Sequence, residues 1–481
     1  HSVKYYERGE RPLEFVTSRQ WFVRLLDKKD ALLAKGDEIR WHPDFMQLRY
    51  RNWTENLNTD WCISRQRFFG VPIPLWYPLD AAGAPDFEHP IVAPADMLPV
   101  DPTTDVPPGH RAEERGQPGG FVGETDIFDT WFTSSLTPQI SSRWLLDAAR
   151  HARLFPADLR PQAHEIIRTW AFYTIAKALL HEDAIPWRHV AISGWILDPD
   201  RKKMSKSRGN VVTPMHLLDE YGADGLRYWA ASARLGTDTA FDDKVLKVGK
   251  RLVTKLFNAG KFVLSQEGEE APVTAELDRA FVYRLRALVE RVTASMDAFE
   301  YAQALQETES FFWHDFTDTY LELVKVRARG EGGGSAIAAL RLGLSVLLRL
   351  FAPALPYITE EVWSWAFAAD TGQPTIHRAP WPGADDLDTV PAPHEPGCFD
   401  TAVACLAAIN KAKSEGGVSV GRGVAAVTVA ASPTTLARLE PALADVLKSA
   451  RVTGHSVEPR PALADGVVEV ADVTFAPAED R

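Results

Sequence analysis

A short apolar run followed by a lysine-rich loop limits the fold of this chain more than any other stretch. His189–Ser193 is apolar between its ends, and Gly194 follows it directly. This pattern predicts a buried parallel strand, because such strands are covered on both faces. Helical patterns precede it (Glu165–Leu180) and follow it (from Pro214). Helices alternating with a parallel strand indicate an open α/β sheet, in which ligands bind beyond the carboxyl ends of the strands.

The rest of the chain divides into regions of different composition. Its 481 residues suggest about three domains. Helix formers with apolar residues three to four apart predict a helical bundle at 241–390, with a proline-rich linker at 373–397. The tail, 398–481, is predicted to form a small α/β domain with strands at Val424–Ala430 and near Val467–Phe475, and a helix at Thr434–Arg451. Residues 78–124 are rich in Pro, Gly and Asp and predict an irregular, solvated insertion.

Composition and cysteine content indicate the cellular location of the protein more than its activity. The net charge of −12 argues against a simple nucleic-acid coat, although basic residues gathered on one face still allow RNA binding. Three scattered cysteines predict neither a disulfide framework nor a zinc site, and they favour the cytoplasm. We find no secretory signal and expect no membrane-spanning stretch and no membrane partner. Because the first residue is His1 rather than Met, we expect residues upstream of it.

The loop after Gly194 has the composition of a polyphosphate site. It contains four cations within seven positions, and its serines and Asn210 add hydrogen-bond donors. Gly209 allows close approach of the backbone. Such a set can stabilise the charge that develops when a phosphate bond breaks. A solvated basic loop is the more common reading of an arbitrary run of this kind. The cations are Lys202, Lys203, Lys206 and Arg208.

The loop sequence resembles a known signature. Lys203-Met204-Ser205-Lys206-Ser207 is similar, letter for letter, to the signature loop of class I aminoacyl-tRNA synthetases. Trp61–Pro74 and Asp126–Ser135 resemble two sequence blocks of the valine, isoleucine and leucine subgroup, and they occur in the family's order. The resemblance covers most of residues 1–390. It implies a multidomain α/β plus α protein, with the second half of a Rossmann-like catalytic domain at 51–240 and a helical-bundle anticodon-binding domain at 241–390. The small α/β domain predicted at 398–481 follows them. Residues 1–50 would be the return from an editing insertion.

The resemblance also implies an ATP site. Lys203, Met204, Ser205, Lys206 and Ser207 would contact the phosphates, with Lys203 and Lys206 acting in catalysis and Mg²⁺ accompanying the ATP. The ribose and adenine would be bound by His164, Glu165 and Gly194. Valine-specific members commonly have Gly-Tyr/His-Asp where this chain has Ala163-His164-Glu165. The longer glutamate is still expected to reach the ribose hydroxyls.

Further blocks favour valine as the substrate. Gly236–Asp243 and Lys255–Leu264 resemble the valine-specific members, although an isoleucine-specific enzyme remains open. By the same resemblance, Trp61, Ile127 and Trp131 would line the amino-acid pocket. Ile127 and Trp131 are four residues apart and would share a face of one helical turn. Ordinary core packing is the alternative for the two tryptophans.

One family signature is missing. Class I enzymes also need a His-x-Gly-His type sequence, and Pro108-Gly109-His110 does not fit it. We therefore expect this chain alone to be inactive in ATP–pyrophosphate exchange, and measurable exchange by the isolated chain would contradict this. A non-catalytic RNA-binding remnant is the alternative. No cysteine follows Trp76-Tyr77 closely, so we expect no zinc. We also expect a monomer.

A basic stripe indicates where RNA would bind. Lys244, Lys247, Arg251 and Lys255 fall within about an 80° arc of a helix, at roughly 100° per residue. Apolar residues occupy the opposite side. Such a stripe would contact RNA phosphates without reading sequence. A solvated face is the alternative reading. Family resemblance favours a tRNA for valine as the partner, bound by the bundle.

Overall fold

A computed structural model describes residues 5, 12–13, 17–204, 209–211 and 213–477. The chain forms two compact units, residues 1–195 and 196–481. This division falls earlier than the expected end of the catalytic region at 240. The predicted domain bounds remain predictions.

The first unit mixes short strands and helices. Its helices are α1 (Lys29–Glu38), α2 (Gln47–Glu55), α3 (Thr130–Ser134), α4 (Thr137–Ser142), α5 (Ala148–Leu154) and α6 (Phe172–Glu182). Its strands are β1 (Phe22–Val23), β2 (Arg40–His42), β3 (Trp61–Cys62), β4 (Ser64–Arg65), β5 (Leu75–Pro78), β6 (Ile91–Val92), β7 (Phe121–Gly123), β8 (Ile127–Phe128), β9 (Ala157–Ala163) and β10 (Trp187–Ser193).

The central sheet of this unit is parallel. Its order is β2-β10-β9, and β10 pairs in parallel with both neighbours. The predicted strand 189–193 is thus confirmed as the carboxyl-terminal part of β10. The predicted helix after residue 165 is also present, but it begins as a 3-10 turn and a π-helical turn before α6. Apolar residues of α6, including Phe172 and Ile175, are fully buried against this sheet's core.

The insertion at 78–124 is more ordered than its composition predicts. Strands β5, β6 and β7 form an antiparallel sheet in the order β6-β5-β7. Trp76 and Phe121 are fully buried in a small core of their own, which also includes Ala93 and Val100. The reading of a solvated loop was therefore wrong. The residues of this core are widely spaced in the sequence. A short stretch of sequence therefore shows no regular apolar spacing that would predict the core.

The second unit is mainly helical. Its helices are α7 (Met215–Ala231, interrupted at Gly222), α8 (Asp243–Leu264), α9 (Glu276–Asp297), α10 (Tyr301–Ser310), α11 (Leu321–Ala328), α12 (Gly334–Phe351), α13 (Pro356–Trp365), α14 (Phe367–Thr371), α15 (Ala384–Leu387), α16 (Cys398–Glu415) and α17 (Pro433–Ser449). A π-helical stretch, Phe311–Tyr320, joins α10 to α11. Its strands are β11 (Ile196–Leu197), β12 (Thr239–Ala240), β13 (Val424–Ala431), β14 (His455–Pro459) and β15 (Val468–Phe475).

The helices of the second unit confirm the predicted helical region. One of them, α12, contradicts the expectation that no stretch is long and apolar enough to span a membrane. Helix α12 is long and apolar enough, by length and composition, to cross a membrane. Within the bundle, 72% of this helix is buried. Its Arg349 is also buried and pairs with Asp386 at 2.6 Å. Its apolarity is thus accounted for by the protein core, because a helix surrounded by other helices is apolar all round.

The tail has the predicted helix and strands but shares the core of the bundle. Its sheet order is β14-β13-β15, and the sequence analysis had missed β14. Phe399 of α16 and Val429 of β13 belong to the same buried cluster as the bundle helices. The presumed linker also packs there through Ile376 and Leu387. The tail is therefore not a separate domain connected by a free linker, because its apolar faces are covered by the bundle.

Candidate functional site

Two neighbouring strands of the first unit bring the predicted ribose and adenine residues together. Ser193 at the end of β10 pairs with Ala163 at the end of β9. His164 and Glu165 follow β9, and Gly194 and Trp195 follow β10. The Trp195 indole N–H donates to Glu165 Oε2 at 2.9 Å, and the ring centroids of His164 and Trp195 lie 4.6 Å apart. Since parallel strands end at one edge, His164, Glu165 and Gly194 meet at the edge where α/β sheets bind ligands.

His164 is held in a defined orientation. Its side chain is nearly buried, and its Nδ1 lies 3.2 Å from the carbonyl oxygen of Ser193. This contact joins the two strand ends. The sequence analysis missed Trp195, although a tryptophan directly after a strand-ending glycine was visible in the sequence.

The lysine loop begins in the second unit. Lys203 is exposed, and its backbone forms an antiparallel bridge with Leu197 of β11. Met204 is half-buried. The predicted residues Ser205, Lys206 and Ser207 lie outside the described residues, as does Arg208. For the described part of the loop, the structure therefore places Lys203 beside a short strand, in an exposed position.

The predicted amino-acid pocket residue Trp61 is buried in an aromatic cluster. Its ring stacks on Tyr173 of α6 with centroids 3.8 Å apart and planes at 6°. Phe132 lies next to it, with centroids 5.4 Å apart. Trp131 packs half-buried against the same core. The structure thus brings the two predicted tryptophans into one cluster, and Tyr173 and Phe132 are members that the sequence analysis missed.

Ile127 does not share a helix with Trp131. Ile127 lies in β8, which pairs antiparallel with β4, whereas Trp131 lies in α3. Asp129 stands between them and caps α3, because its side chain accepts a hydrogen bond from the Trp131 N–H. The expectation of a shared helical face was wrong. An acidic residue at such a position is a signal for the start of a helix.

Asp129 is also a junction of this cluster. It is nearly buried, and its carboxylate lies 3.0 Å from the Arg65 guanidinium and accepts from the Trp61 indole N–H at 3.4 Å. It therefore connects β3, β4 and α3, which carry or adjoin the predicted pocket residues. One carboxylate thus contacts both tryptophan-bearing segments.

A buried lysine lies under the same aromatic rings. The Lys177 ammonium of α6 is 3.4 Å from the centroid of the Phe132 ring, and the residue is 3% exposed. Burial lowers the pKa of Lys177 to about 8, because a buried cation loses solvation. Attraction to the face of the aromatic ring partly compensates for this loss.

The basic stripe lies on α8, with one correction. Lys244, Lys247 and Arg251 are exposed and, with Lys250, line a surface cavity of about 680 Å³. Lys247 pairs with Asp243 at 2.6 Å, which raises the pKa of Lys247. Lys255 does not point freely outward: it pairs with Asp318 at 3.2 Å and lies 5.0 Å from the Trp313 ring centroid. The exposed stripe is therefore Lys244, Lys247, Lys250 and Arg251.

The described residues contain no group of three or more His, Cys, Asp or Glu side chains arranged to hold a metal ion. The three cysteines are free, and burial raises the pKa of Cys398 and of Cys405 to about 12. These two thiols are therefore protonated at neutral pH.

Comparisons with known proteins show the family of this chain. The family model "tRNA synthetases class I (I, L, M and V)" matches residues 3–242, and the model "Anticodon-binding domain of tRNA ligase" matches residues 278–427. The first match includes the predicted catalytic region, and the second overlaps the predicted helical bundle and extends into the tail. The chain belongs to the class I aminoacyl-tRNA synthetases, in the group that comprises the isoleucine, leucine, methionine and valine members.

Two of the similar proteins are valine–tRNA ligases. A valine–tRNA ligase of Thermobifida fusca is 47% identical, over 100% of this chain and 54% of the relative. A valine–tRNA ligase of Salinispora arenicola is 49% identical, over 94% of this chain and 55% of the relative. The chain therefore spans about half the length of these relatives.

Solved structures with distant sequences share the fold. LeuRS of Agrobacterium radiobacter, in a ternary complex with tRNA and LeuAMS, superposes with a TM-score of 0.54 at 21% identity, covering 70% of this chain and 44% of that one. Methionyl-tRNA synthetase of Mycobacterium tuberculosis, in complex with methionyl-adenylate, gives 0.53 at 19% identity, covering 74% and 64%.

Proposed function

We propose that the protein to which this chain belongs is a cytoplasmic valine–tRNA ligase. A carboxylate oxygen of valine attacks the α-phosphorus of ATP, and pyrophosphate leaves from valyl-adenylate. The terminal adenosine of the tRNA for valine then attacks the valyl carbonyl through its 2′-hydroxyl, and AMP leaves. The observation that carries the proposal is the 47% identity to a valine–tRNA ligase over the whole chain.

The structure supports separate roles for the two units. Lys203 and Lys206 would stabilise the charge on the β- and γ-phosphates, with Mg²⁺ accompanying ATP. His164, Glu165 and Gly194 would bind the adenosine, because they lie at the ligand-binding edge of a parallel sheet. Trp61, Ile127 and Trp131 would form the apolar surface for the valine side chain. The cluster around Trp61 supports this role, since Asp129 and Tyr173 hold the Trp61 ring in one orientation.

The test is amino-acid-dependent ATP–pyrophosphate exchange by the full-length protein. We expect kcat/KM for valine to exceed that for isoleucine by roughly 10- to 200-fold, the range that one methylene group in an apolar pocket supports. Threonine should be rejected less strongly than its polarity suggests, because it has the shape of valine. Equal or greater exchange with isoleucine would refute valine specificity. No exchange with any amino acid would favour the RNA-binding remnant.

The basic stripe on α8 is proposed to contact tRNA phosphates. Lys244 and Arg251 are the best targets, because Lys247 and Lys250 already contact Asp243 and the backbone of Glu220. Lys244→Glu with Arg251→Glu should weaken binding of tRNA and reduce the slope of log K against log salt by about one unit per lost contact. Lys411→Glu, at an exposed lysine of α16, is the matched control. A slope that stays at the wild-type value would remove α8 from the RNA surface.

A further inference from the structure

A buried carboxylate at the start of the lysine loop makes contacts that the proposed reaction does not yet use. Asp198 directly follows β11 and is 7% exposed. Its Oδ1 accepts a hydrogen bond from the Lys202 N–H at 2.7 Å. Its Oδ2 accepts one from the Asn210 side-chain amide, also at 2.7 Å. The two oxygens therefore contact the chain on both sides of the signature residues.

The first of these contacts is local. The Arg201 N–H donates to the Asp198 carbonyl at 2.9 Å, and Arg201 has a left-handed φ of 61°. The Asp198 N–H donates in turn to the Lys202 carbonyl at 2.9 Å. An aspartate that accepts from backbone N–H groups a few residues on is common in turns. This half of the arrangement would be explained by the turn alone.

The second contact is not local, and a turn does not require it. Asn210 lies twelve residues after Asp198. Its amide also donates to the carbonyl oxygen of Lys203, at 3.3 Å. Lys203 is bridged on its other side to Leu197, whose carbonyl accepts from the Phe241 N–H at 2.9 Å. The backbone of Lys203 is thus held between β11 and the Asn210 side chain.

The electrostatics of the pair agree with this geometry. The hydrogen bond from Asn210, followed by that from Lys202, holds the pKa of Asp198 below its ordinary value. Asp198 is therefore ionised at neutral pH. Hydrogen bonds to an ionised group are shorter and stronger than neutral ones.

We propose that Asp198 and Asn210 are positioning residues that fix the backbone of Lys203 for contact with the ATP phosphates. Neither residue is assigned a contact with substrate. The inference rests on the proposed function, because Lys203 acts on ATP only if the protein activates an amino acid. Its physical basis is that misplacing a catalytic group by about 1 Å costs up to two orders of magnitude in rate.

The test exchanges the two side chains. In Asp198→Asn the new amide faces the amide of Asn210, and in Asn210→Asp two carboxylates face each other. The double variant, Asp198→Asn with Asn210→Asp, restores one donor and one acceptor between positions 198 and 210 in reversed order, but the carboxylate at position 210 no longer donates to the Lys203 carbonyl. Asp200→Asn is the control, because it makes the same chemical change at an exposed residue two positions away.

The readouts separate positioning from simple stability. In valine-dependent exchange by the full-length protein, at a temperature where circular dichroism shows each variant folded, each single variant should lower kcat roughly 10- to 100-fold and leave KM for valine unchanged. The double variant should recover only part of the loss, because it restores the contact between positions 198 and 210 but not the donation to the Lys203 carbonyl. The control should match the wild type. Single variants at the wild-type rate, or a double variant no better than the singles, would overturn the proposal.

A second readout does not depend on activity. Amide hydrogen exchange in the peptide spanning residues 196–204 should speed up in each single variant and slow in part in the double variant, in which the contact between positions 198 and 210 is restored. Unchanged protection in the single variants would overturn the proposed contact. If the wild type instead failed to exchange pyrophosphate with valine, the proposed function would fail, while the protection pattern would still report on the contact itself.

Discussion

Replacing Arg327 by methionine is expected to destabilise the second unit by about 3–5 kcal/mol, the usual loss when one partner of a buried ion pair is removed. Arg327 of α11 donates two hydrogen bonds to Asp278 of α9, at 2.6 and 2.8 Å. It also contacts both carboxylate oxygens of Asp445 of α17, at 2.9 and 3.0 Å. Asp278 is fully buried and Asp445 nearly so. The variant would leave two buried carboxylates without their cation.

Two neighbours complete this network. The Tyr320 hydroxyl and the Ser335 hydroxyl both donate to Asp278, at 2.8 and 2.7 Å. Burial alone would lower the pKa of Arg327, but Asp278 and then Asp445 raise it above its ordinary value. The guanidinium therefore remains charged at any accessible pH and connects the tail helix α17 to the bundle.

The pH dependence of the Arg327→Met loss can be derived from the carboxylates. Burial already raises the pKa of Asp445 with Arg327 present, and removing the cation raises it further. A carboxylate whose folded pKa exceeds its unfolded pKa favours folding at low pH, and this advantage disappears as pH rises through the folded pKa. The gap in stability between wild type and variant should therefore widen as the pH rises from about 4, the ordinary pKa of an aspartate, through the raised pKa of Asp445.

Urea denaturation followed by helical circular dichroism would measure this loss. Arg291→Met is the control: Arg291 pairs with Glu307 at 3.1 Å and is 57% exposed, so its pair should contribute less than about 1 kcal/mol. Adding Asp278→Asn and Asp445→Asn to Arg327→Met should restore part of the stability, because neutral groups cost less to bury. A loss below about 1 kcal/mol in the single variant would refute the role given to this network.

Replacing Lys203 by alanine is expected to lower valine-dependent pyrophosphate exchange by about 10²- to 10³-fold, the loss typical when one preorganised donor to a transition state is removed. Lys203 is exposed, so the change should leave the melting temperature unaffected. The lysine acts on charge that develops during the reaction, so kcat should fall while KM for valine stays constant.

Two further variants test whether the charge of Lys203 itself causes the loss of rate. Lys203→Arg should keep part of the rate, because the charge remains but the compact ammonium is replaced by a planar group. Arg188→Ala removes an exposed cation that pairs with Asp158, and it should be neutral. Exchange by Lys203→Ala within about threefold of the wild type would show that Lys203 does not contribute to the transition state.

The local sequence pattern was sufficient to predict several strands and one helix. The strand at 187–193, the strands at Val424–Ala431 and Val468–Phe475 and the helix α17 were predicted within a few residues of their observed bounds. Each has a continuous apolar stretch or a regular spacing that nearby residues alone specify. The signature loop was recognisable for a similar reason, since its chemistry is concentrated in consecutive residues.

Contacts between residues far apart in the sequence could not be predicted from local pattern. Asp129 connects segments 68 residues apart, and Arg327 reaches Asp445 across 118 residues. Lys255 belongs to the basic stripe by spacing, yet it is half-buried and pairs with Asp318 of a different helical segment. Helical periodicity shows on which face of a helix a residue lies. Only packing shows which side chains of other segments lie against that face.

The amino-acid sequence by itself determined the order of α/β, helical and tail regions, and the residue types available for a phosphate site. Tertiary structure alone decided that the tail shares the core of the bundle, that the insertion has a core of its own, and that Asp198 contacts Asn210. The physical reason is the range of the interactions. Backbone propensity and periodicity act over a few residues, whereas burial and hydrogen bonding of charged groups depend on whichever segments the fold brings together.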